Sequence, residues 1–479
     1  MVNFEPLNSL AIARPSDPIT LDSRKASPGV IFVAAKGASL SSLDGHSFIL
    51  QALQNGCSGL IVERVDFEIP FHIPVWRTNH ARIAAAILSE EAFLCPSRQL
   101  DLCGVTGTNG KTSVTFLLAA MAEAFGKKSG VLGTLGAGST RNLTYFGLTT
   151  PEAENLSAYL GQFRNQGFDQ IAMEVSSHAL ATHRVDGLSF KAAAFTNLSQ
   201  DHLDFHQTFD HYLTAKARLF HELLPNNAYA ILPSTDPNLN QLKPRNARTL
   251  LWGTDSKADI AASQIRFTPQ GLSFTLRVLS ESIEVQAPLF GRFNLENILC
   301  AAGLAYASGI SLEATAQGLQ NPILPKGRLE RVSPSLPAVF VDFAHSPDAL
   351  EKALQTLREI SQGRIKLVFG CGGDRDRIKR PLMTQVAHQN ADDVFITLDN
   401  PRHEAPNQII ADMQPLSTMT VLLNRQEAIR AAIQSCAQED MVLIAGKGHE
   451  TTQQIGDEFR PFDDARIARE ILFDRHPNS

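Results

Sequence analysis

Short apolar runs alternate with amphipathic stretches along nearly the whole chain, the pattern of strands covered by helices. In the first hundred residues, β-type runs at 30–35, 59–62 and 74–78 interleave with helix-period stretches at 48–54 and 80–93. The next block opens with a strand-like run at 100–105 and a helical stretch at 114–125, and continues with strands predicted at 169–175 and 191–196. Three alternating runs, 260–267, 272–279 and 282–289, read as hairpin-like rather than as crossovers. After a stretch punctuated by Pro322, Pro325, Pro334 and Pro337, runs at 338–343, 365–370, 393–398 and 441–445 again alternate with helical segments. The expected class is therefore α/β, in three domains: a small α/β module over 1–96, a central block with a mainly parallel sheet over 97–330, and a doubly wound, Rossmann-like sheet over 331–479. No internal repeat or low-complexity tract interrupts the pattern.

Composition agrees with several cores. The 479 residues are 43% hydrophobic and 19% charged, which describes a globular chain too long for one core. A net charge of -6 without any basic block argues against nucleic acid or a membrane surface as partner, so anionic ligands must be held by local groups. Six cysteines are scattered with no Cys-x-x-Cys pair, as expected for reduced thiols. No basic segment leads into an apolar run at the start, and no apolar stretch reaches spanning length; a cytoplasmic monomer is the expectation.

The sharpest chemical signal is GVTGTNGKTS at 104–113, lying between a strand and a helix. Glycines let backbone N–H groups approach phosphate oxygens, the helix start adds unpaired donors and a favourable dipole, Lys111 neutralises charge, and Thr112 can offer its hydroxyl to Mg²⁺. It is a variant loop: G-x-x-x-x-G-K-[ST] would need glycine where Val105 stands. ATP is the expected ligand, held by Gly107, Thr108, Asn109, Gly110, Lys111, Thr112 and Ser113.

Ligands of open α/β sheets collect beyond the carboxyl ends of the strands, and those ends are polar here. Glu174 closes one run before Ser176, Ser177 and His178; Asp201 and His202 follow another. Glu174 and His202 are candidate Mg²⁺ contacts. His202 and His206 stand i, i+4, but without a third ligand zinc is not expected. In the last block, DFAHSPDAL supplies Asp342 and His345, GCGGDRDRIKRP supplies Arg375, LDNPRHEAP supplies Asp399, Asn400 and Arg402, and AGKGHE supplies Gly446, Lys447 and Glu450. Such mixed charge suits a zwitterionic ligand such as an amino acid; the plainer alternative is a surface ion-pair network.

As a set, LDSR (21–24), TGTNGKTS (106–113), TTPE (149–152), MEVSSHALATHRV (173–185), FTNLSQDHLDFH (195–206), AKARLF (215–220), FNLEN (293–297), GRLE (327–330), DFAHSPDAL (342–350), CGGDRDR, DNPR and GKGHE resemble the Mur ligases of cell-wall synthesis. The resemblance implies an ATP-dependent amide-bond ligase that works through an acyl phosphate, joining meso-2,6-diaminopimelate to UDP-N-acetylmuramoyl-L-alanyl-D-glutamate. It implies catalytic roles for Lys111, Glu174, His202, Asn294, Asn297, Arg328 and Asp342, with Asn294, Arg328 and Asp342 also on ATP. Lys216, which the residue pattern alone reads as a helix-surface lysine, matches a lysine that family members carbamylate into a Mg²⁺ ligand beside Thr112, Glu174 and His202. Leu21, Ser23 and the loop after Gly37 would hold the uridine nucleotide, and Thr149, Thr150, Ser176, Thr182 and Arg184 the muramoyl peptide. Diaminopimelate would fall to Arg375, Asp399, Asn400, Pro401, Arg402, Gly446 and Glu450, with Arg402 on the distal carboxylate that lysine lacks. The match departs at Val30, Thr182, Phe343, Ser346, His403 and Ala405. Folylpolyglutamate synthetase shares the loop and the modified lysine but needs neither LDSR nor DNPR; a non-catalytic ATP-binding relative would not need Glu174, His202, Lys216 and Asp342 together.

Overall fold

Parallel sheets form the skeleton, as the alternation of apolar and amphipathic runs requires. The structure, a computed structural model, describes residues 5–6, 18–37, 43–64, 73–199, 203–268, 270–333 and 337–475. The chain divides into two compact units, one made of 1–263, 274–285 and 296–323, the other of 264–273, 286–295 and 324–479.

In the first unit, a five-stranded parallel sheet has the order Glu5–Pro6, Val75–Arg77, Gly59–Val62, Ile31–Ala34, Ile19–Thr20. Strands such as Ile31–Ala34 and Gly59–Val62 are buried throughout, because the crossover connections of parallel strands cover both faces. The larger sheet is organised about Asp101–Thr106. On one side it pairs in parallel with Gln170–Glu174, then Ser129–Gly133; on the other with Ala192–Phe195, then Tyr229–Pro233 and Arg248–Gly253. Ile260–Thr268, Gly271–Val278 and Glu281–Ala287, of which 260–263 and 274–285 belong to this unit, follow in the sheet order in the consecutive succession their alternation predicts. Asp101–Thr106 is thus a central strand from which the chain departs first to one side and later to the other. That reversal opens a crevice beyond its carboxyl end.

The second unit carries a sheet in the order Glu330–Arg331, Ala338–Asp342, Met441–Ala445, Ile365–Cys371, Asp393–Leu398, Thr420–Val421, parallel except for the first pair. The strand latest in sequence, Met441–Ala445, sits between the two earliest parallel ones. Its apolar faces are covered by helices including Pro347–Ile360 and Arg425–Gln434. A fully buried ion pair lies within it: Arg425 Nη2 meets Asp464 Oδ2 at 2.6 Å and Arg425 Nε meets Oδ1 at 2.8 Å. Arg425 also donates to the Ala445 carbonyl at 3.0 Å, which ties the pair to the end of that strand. A two-stranded antiparallel hairpin, Thr452–Ile455 with Glu458–Pro461, follows.

Most runs fall within a residue or two of expectation, but Ser129–Gly133, Tyr229–Pro233, Arg248–Gly253 and the 452–461 hairpin were not foreseen. The helix expected from Val114 begins at Lys111, so Lys111 and Thr112 occupy its first turn. Among the described residues no helix is long and apolar enough to cross a membrane.

Candidate active site

At the carboxyl end of Asp101–Thr106 the chain turns through 107–110 into the helix Lys111–Ala124. Gly110 has φ +86°, and a Cβ there would collide with Asn297 Oδ1, so only glycine lets the loop close onto that side chain. The loop is fixed from behind by Thr196 and Asn197. Thr108 N–H donates to the Asn197 carbonyl at 2.9 Å, Asn109 N–H to Asn197 Oδ1 at 3.0 Å, and Thr196 Oγ1 to the Asn109 carbonyl at 2.6 Å. Lys111 Nζ reaches back to the carbonyls of Gly107 at 3.0 Å and Thr108 at 2.8 Å. The first turn of the helix, with Thr112 and Ser113 buried, leaves its N–H groups and dipole facing the loop, a ready anion cradle.

Glu174, 1% exposed, ends the neighbouring strand. Its Oε1 accepts from Thr112 Oγ1 at 2.9 Å and from Thr134 N–H at 3.0 Å, and its Oε2 from Thr134 Oγ1 at 3.1 Å. A Cβ on Gly133 would lie 2.7 Å from Glu174 Cγ and Cδ, which explains a glycine at the end of that buried strand. Gly133→Ala should therefore displace the carboxylate. We expect a cost of about 1–3 kcal/mol in denaturant unfolding and a fall in turnover; wild-type values in both would refute the packing argument.

Lys216 corrects the reading of a helix-surface lysine. It is 1% exposed on Phe209–His221, donates to the Gly107 carbonyl at 2.8 Å, and lies 4.4 Å from the centre of the Tyr212 ring. Lys111, Thr112, Glu174, Lys216 and Asn297 are thus gathered about one loop in the first unit. His202 lies outside the described residues. Thr112 and Glu174 offer the hard oxygen donors Mg²⁺ prefers, and among the described residues no cluster of three or more His, Cys, Asp or Glu forms a self-sufficient metal cage. That donor set fits an ion shared with a phosphate ligand.

The predicted peptide-binding residues adjoin Glu174. Thr150 Oγ1 donates to the Glu174 carbonyl at 2.8 Å and accepts from Ser176 N–H at 3.1 Å, while Thr149 Oγ1 lies 3.2 Å from Thr134 Oγ1. Arg184 donates to the Thr150 carbonyl at 2.9 Å and pairs with Glu152 at 2.9 Å. Ser176 caps the helix Ser177–Ala181. The Thr182 hydroxyl is turned to the His178 carbonyl at 2.7 Å. In LDSR, Asp22 caps a short turn, Ser23 Oγ donates to Gln51 Oε1 at 2.7 Å, and Leu21 N–H points to Glu154 Oε1 at 3.4 Å. Residues 38–42, the loop after Gly37, are outside the described set.

The second unit carries the remaining residues, most of them at its strand ends and Asn294 in the helix Arg292–Ala307. Asp342 accepts from Leu329 N–H at 2.6 Å and Ala344 N–H at 2.8 Å; burial raises its pKa, and Arg328 opposes that shift. Arg328 lies 5.0 Å from the centre of the Phe343 ring, and Asn294 Nδ2 donates to the Phe290 carbonyl at 2.9 Å. Lys447, one of the charged residues of AGKGHE, is fully buried: its Nζ donates to Glu450 Oε2 at 2.8 Å and Asn400 Oδ1 at 3.0 Å, with Asp399 at 3.9 Å. Burial pushes the Glu450 pKa up, but Lys447 and Asn400 together bring it below the ordinary value. Burial raises that of Asp399. Gly446 has φ +114°, and Pro401 is buried with its carbonyl accepting from Glu404 N–H at 3.1 Å. Glu404 is held to about 2, chiefly by its hydrogen bonds from the buried Arg380.

Arg402 adopts φ +50°, a left-handed backbone that a non-glycine residue keeps only when its surroundings impose it. The hairpin supplies that constraint. Arg402 N–H donates to the Gln454 carbonyl at 3.1 Å and its own carbonyl accepts from Gly456 N–H at 2.7 Å. Its Nη1 donates to the Gly373 carbonyl at 2.7 Å. A Cβ on Gly372 would lie 2.9 Å from Arg402 Nη1 and 3.7 Å from Arg375 Cγ, so both arginines border one glycine. The left-handed, hairpin-clamped backbone that carries this charge was the part hidden from sequence, since no local pattern announces a backbone held by another segment.

Residues 105–305 match the Mur ligase middle domain, and 327–448 the Mur ligase, glutamate ligase domain. The UDP-N-acetylmuramoyl-L-alanyl-D-glutamate–2,6-diaminopimelate ligase of Geobacillus thermodenitrificans is 40% identical over 472 residues, covering 95% of each chain. The enzyme of the same name from Haemophilus influenzae is 39% identical, covering 95% of this chain and 96% of its own. A solved structure of a UDP-N-acetylmuramoyl-L-alanyl-D-glutamate–2,6-diaminopimelate ligase superposes with TM-score 0.73 at 34% identity, covering 96% of this chain and 95% of that one.

Proposed function

This chain belongs to the Mur ligase family, and from that membership we infer that it is an ATP-dependent ligase joining meso-2,6-diaminopimelate to UDP-N-acetylmuramoyl-L-alanyl-D-glutamate in peptidoglycan precursor synthesis. The observation that supports this most directly is the first unit's loop, which gathers Lys111, Thr112, Glu174 and Lys216 at a strand end. Identity of 40% over 95% of the chain to a diaminopimelate ligase leaves little room for a folate-linked activity.

In this reading the substrate's terminal carboxylate attacks the γ-phosphorus of ATP, giving an acyl phosphate and ADP. The N–H groups of the first helical turn and Lys111 stabilise the charge that builds on the phosphoryl oxygens. Mg²⁺ would be held by Thr112 and Glu174, with His202 and a carbamylated Lys216, and would supply further neutralisation. A carbamate at Lys216 keeps one N–H on Nζ, so its bond to the Gly107 carbonyl can survive the modification. The amine of the amino acid then attacks the acyl carbon, and the tetrahedral intermediate expels phosphate. Asn294, Asn297, Arg328 and Asp342 are assigned to catalysis and ATP on the same footing, as are Leu21, Ser23, Thr149, Thr150, Ser176, Thr182 and Arg184 to the muramoyl dipeptide. We assign three domains, 1–96, 97–330 and 331–479, and a monomer acting in the cytoplasm, where ATP and uridine nucleotides are made.

Amino-acid choice falls to Arg402, with Arg375 beside it. A charge-assisted bond to a carboxylate contributes about 1.5–3 kcal/mol, so Arg402→Ala should lower kcat/KM for meso-diaminopimelate by roughly 10- to 150-fold. Phosphate release, compared with L-lysine as the alternative amine, tests it. Equal turnover of lysine by the wild type would overturn the specificity, and no amino-acid-dependent release at all would overturn the ligase.

A further inference from the structure

His403 is one of the positions where this chain departs from the pattern it otherwise resembles, and its ring lies between two carboxylates from different segments. Nε2 is 3.0 Å from Asp457 Oδ1 in the turn of the hairpin, and Nδ1 is 3.3 Å from Asp374 Oδ2 in the glycine-rich turn. The His403 backbone N–H also donates to Asp374 Oδ2 at 3.1 Å. Among the described residues these are the charged groups that face the ring. Its neighbours on the loop are directed elsewhere: Arg402 to the Gly373 carbonyl, Glu404 to Arg380.

We propose that His403 is a positioning residue, stapling loop 399–402 to the glycine-rich turn and to the hairpin so that the Arg402 guanidinium stays beside Gly372 and Gly373. The proposal rests on the diaminopimelate reading above and extends it. Arg402 cannot hold a left-handed backbone alone, and the hairpin that imposes it is otherwise joined to the loop by the backbone bonds of Arg402 and by two glutamine contacts, Gln453 to the Asp399 carbonyl at 2.7 Å and Gln454 N–H to Asn400 Oδ1 at 2.9 Å. Each His403 ion pair is exposed and weak by itself. Their effect is geometric, since both hold the residue next to Arg402, and a small misplacement of a binding group costs affinity steeply.

The hydrogen bond to Asp457, then that to Asp374, raises the His403 pKa above its ordinary value. A group whose pKa is raised contributes fully below its unperturbed value, 6.5, and its contribution fades as pH climbs through the raised one. The staple should therefore loosen from neutral toward alkaline pH. In the whole chain, His403→Ala is expected to raise KM for meso-diaminopimelate about three- to tenfold at pH 6, with the ratio to wild type shrinking as pH rises through the raised pKa, while KM for ATP is unmoved. His403→Arg, charged throughout, should keep KM low and flatten the profile. Identical KM and pH profile in His403→Ala and wild type would overturn the staple. A second readout needs no turnover: the His403 ring, titrated by NMR, should have its midpoint lowered by Asp374→Asn and by Asp457→Asn, and an unmoved midpoint would overturn the proposal on its own. Wild-type protein that releases no phosphate with diaminopimelate would instead sink the substrate reading, leaving the NMR titration to decide the staple.

Discussion

Lys111→Ala should reduce ATP-dependent phosphate release on the order of a thousandfold, the scale seen when one preorganised charge-stabilising group is removed from a reacting centre. The effect follows from where the sequence puts this residue. Because the helix begins at Lys111, its ammonium extends over the loop at the helix N-terminus, and the carbonyls of Gly107 and Thr108 hold it there at 3.0 and 2.8 Å. An alanine keeps the helix, which favours that residue, so folding should be spared. Steady-state phosphate release together with calorimetric ATP binding would separate the two contributions. A large loss in kcat with a modest loss in ATP affinity is the expected split, because phosphoryl charge is more concentrated in the transition state than in bound ATP. A loss of less than tenfold would mean that Lys111 is not the group carrying that charge.

Asp464→Asn should produce the largest change in stability. Arg425 and Asp464 are both wholly removed from solvent, and breaking such a pair leaves a buried charge without its partner, typically at a cost of about 3–5 kcal/mol. Arg425 also reaches the Ala445 carbonyl, one residue before Gly446, so the loss should be felt at the strand ends that carry Asp399 and Gly446. Denaturant unfolding of the whole chain should show the transition of the second unit moving to lower denaturant, and KM for the amino acid should rise with it. Replacing both residues with apolar ones of similar volume should restore much of the stability, since the pair's desolvation cost disappears along with its attraction. A change below about 1 kcal/mol in Asp464→Asn would refute the account.

Continuous apolar runs such as 59–62, 393–398 and 441–445 were legible in the sequence because both faces of those strands are covered, and the three runs between 260 and 289 because their alternation keeps a clear period; Tyr229–Pro233, as buried as the first group, was nevertheless missed. Ser129–Gly133 escaped for a physical reason. Its two glycines depress strand propensity, yet they are required there: a Cβ on Gly130 would crowd Ile171 and Phe163, and one on Gly133 would displace Glu174. The hairpin 452–461 escaped because both its faces are largely solvated, so neither period appears in its apolar positions. The site divides along the same line. The loop 107–112 and Glu174 could be read from local order, since a strand, a glycine turn and a helix are adjacent in sequence. Thr134 and Tyr212 could not, because their roles depend on which side chains the fold brings beside them, and burial alone turned Lys216 from a surface residue into part of the loop's support.

The placement of Met441–Ala445 between Ala338–Asp342 and Ile365–Cys371 also bears on how the protein is made. As the chain leaves the ribosome, the two earlier strands emerge with no neighbour between them, and each presents an open row of backbone donors and acceptors flanked by apolar side chains. Translation adds roughly 5–20 residues per second, so that gap persists for seconds until the filling strand arrives. During that interval the nascent sheet is open to wrong partners, including other copies of itself. The protein's dependence on chaperones in a crowded cell should therefore be concentrated in its last third, whatever the stability of the finished molecule.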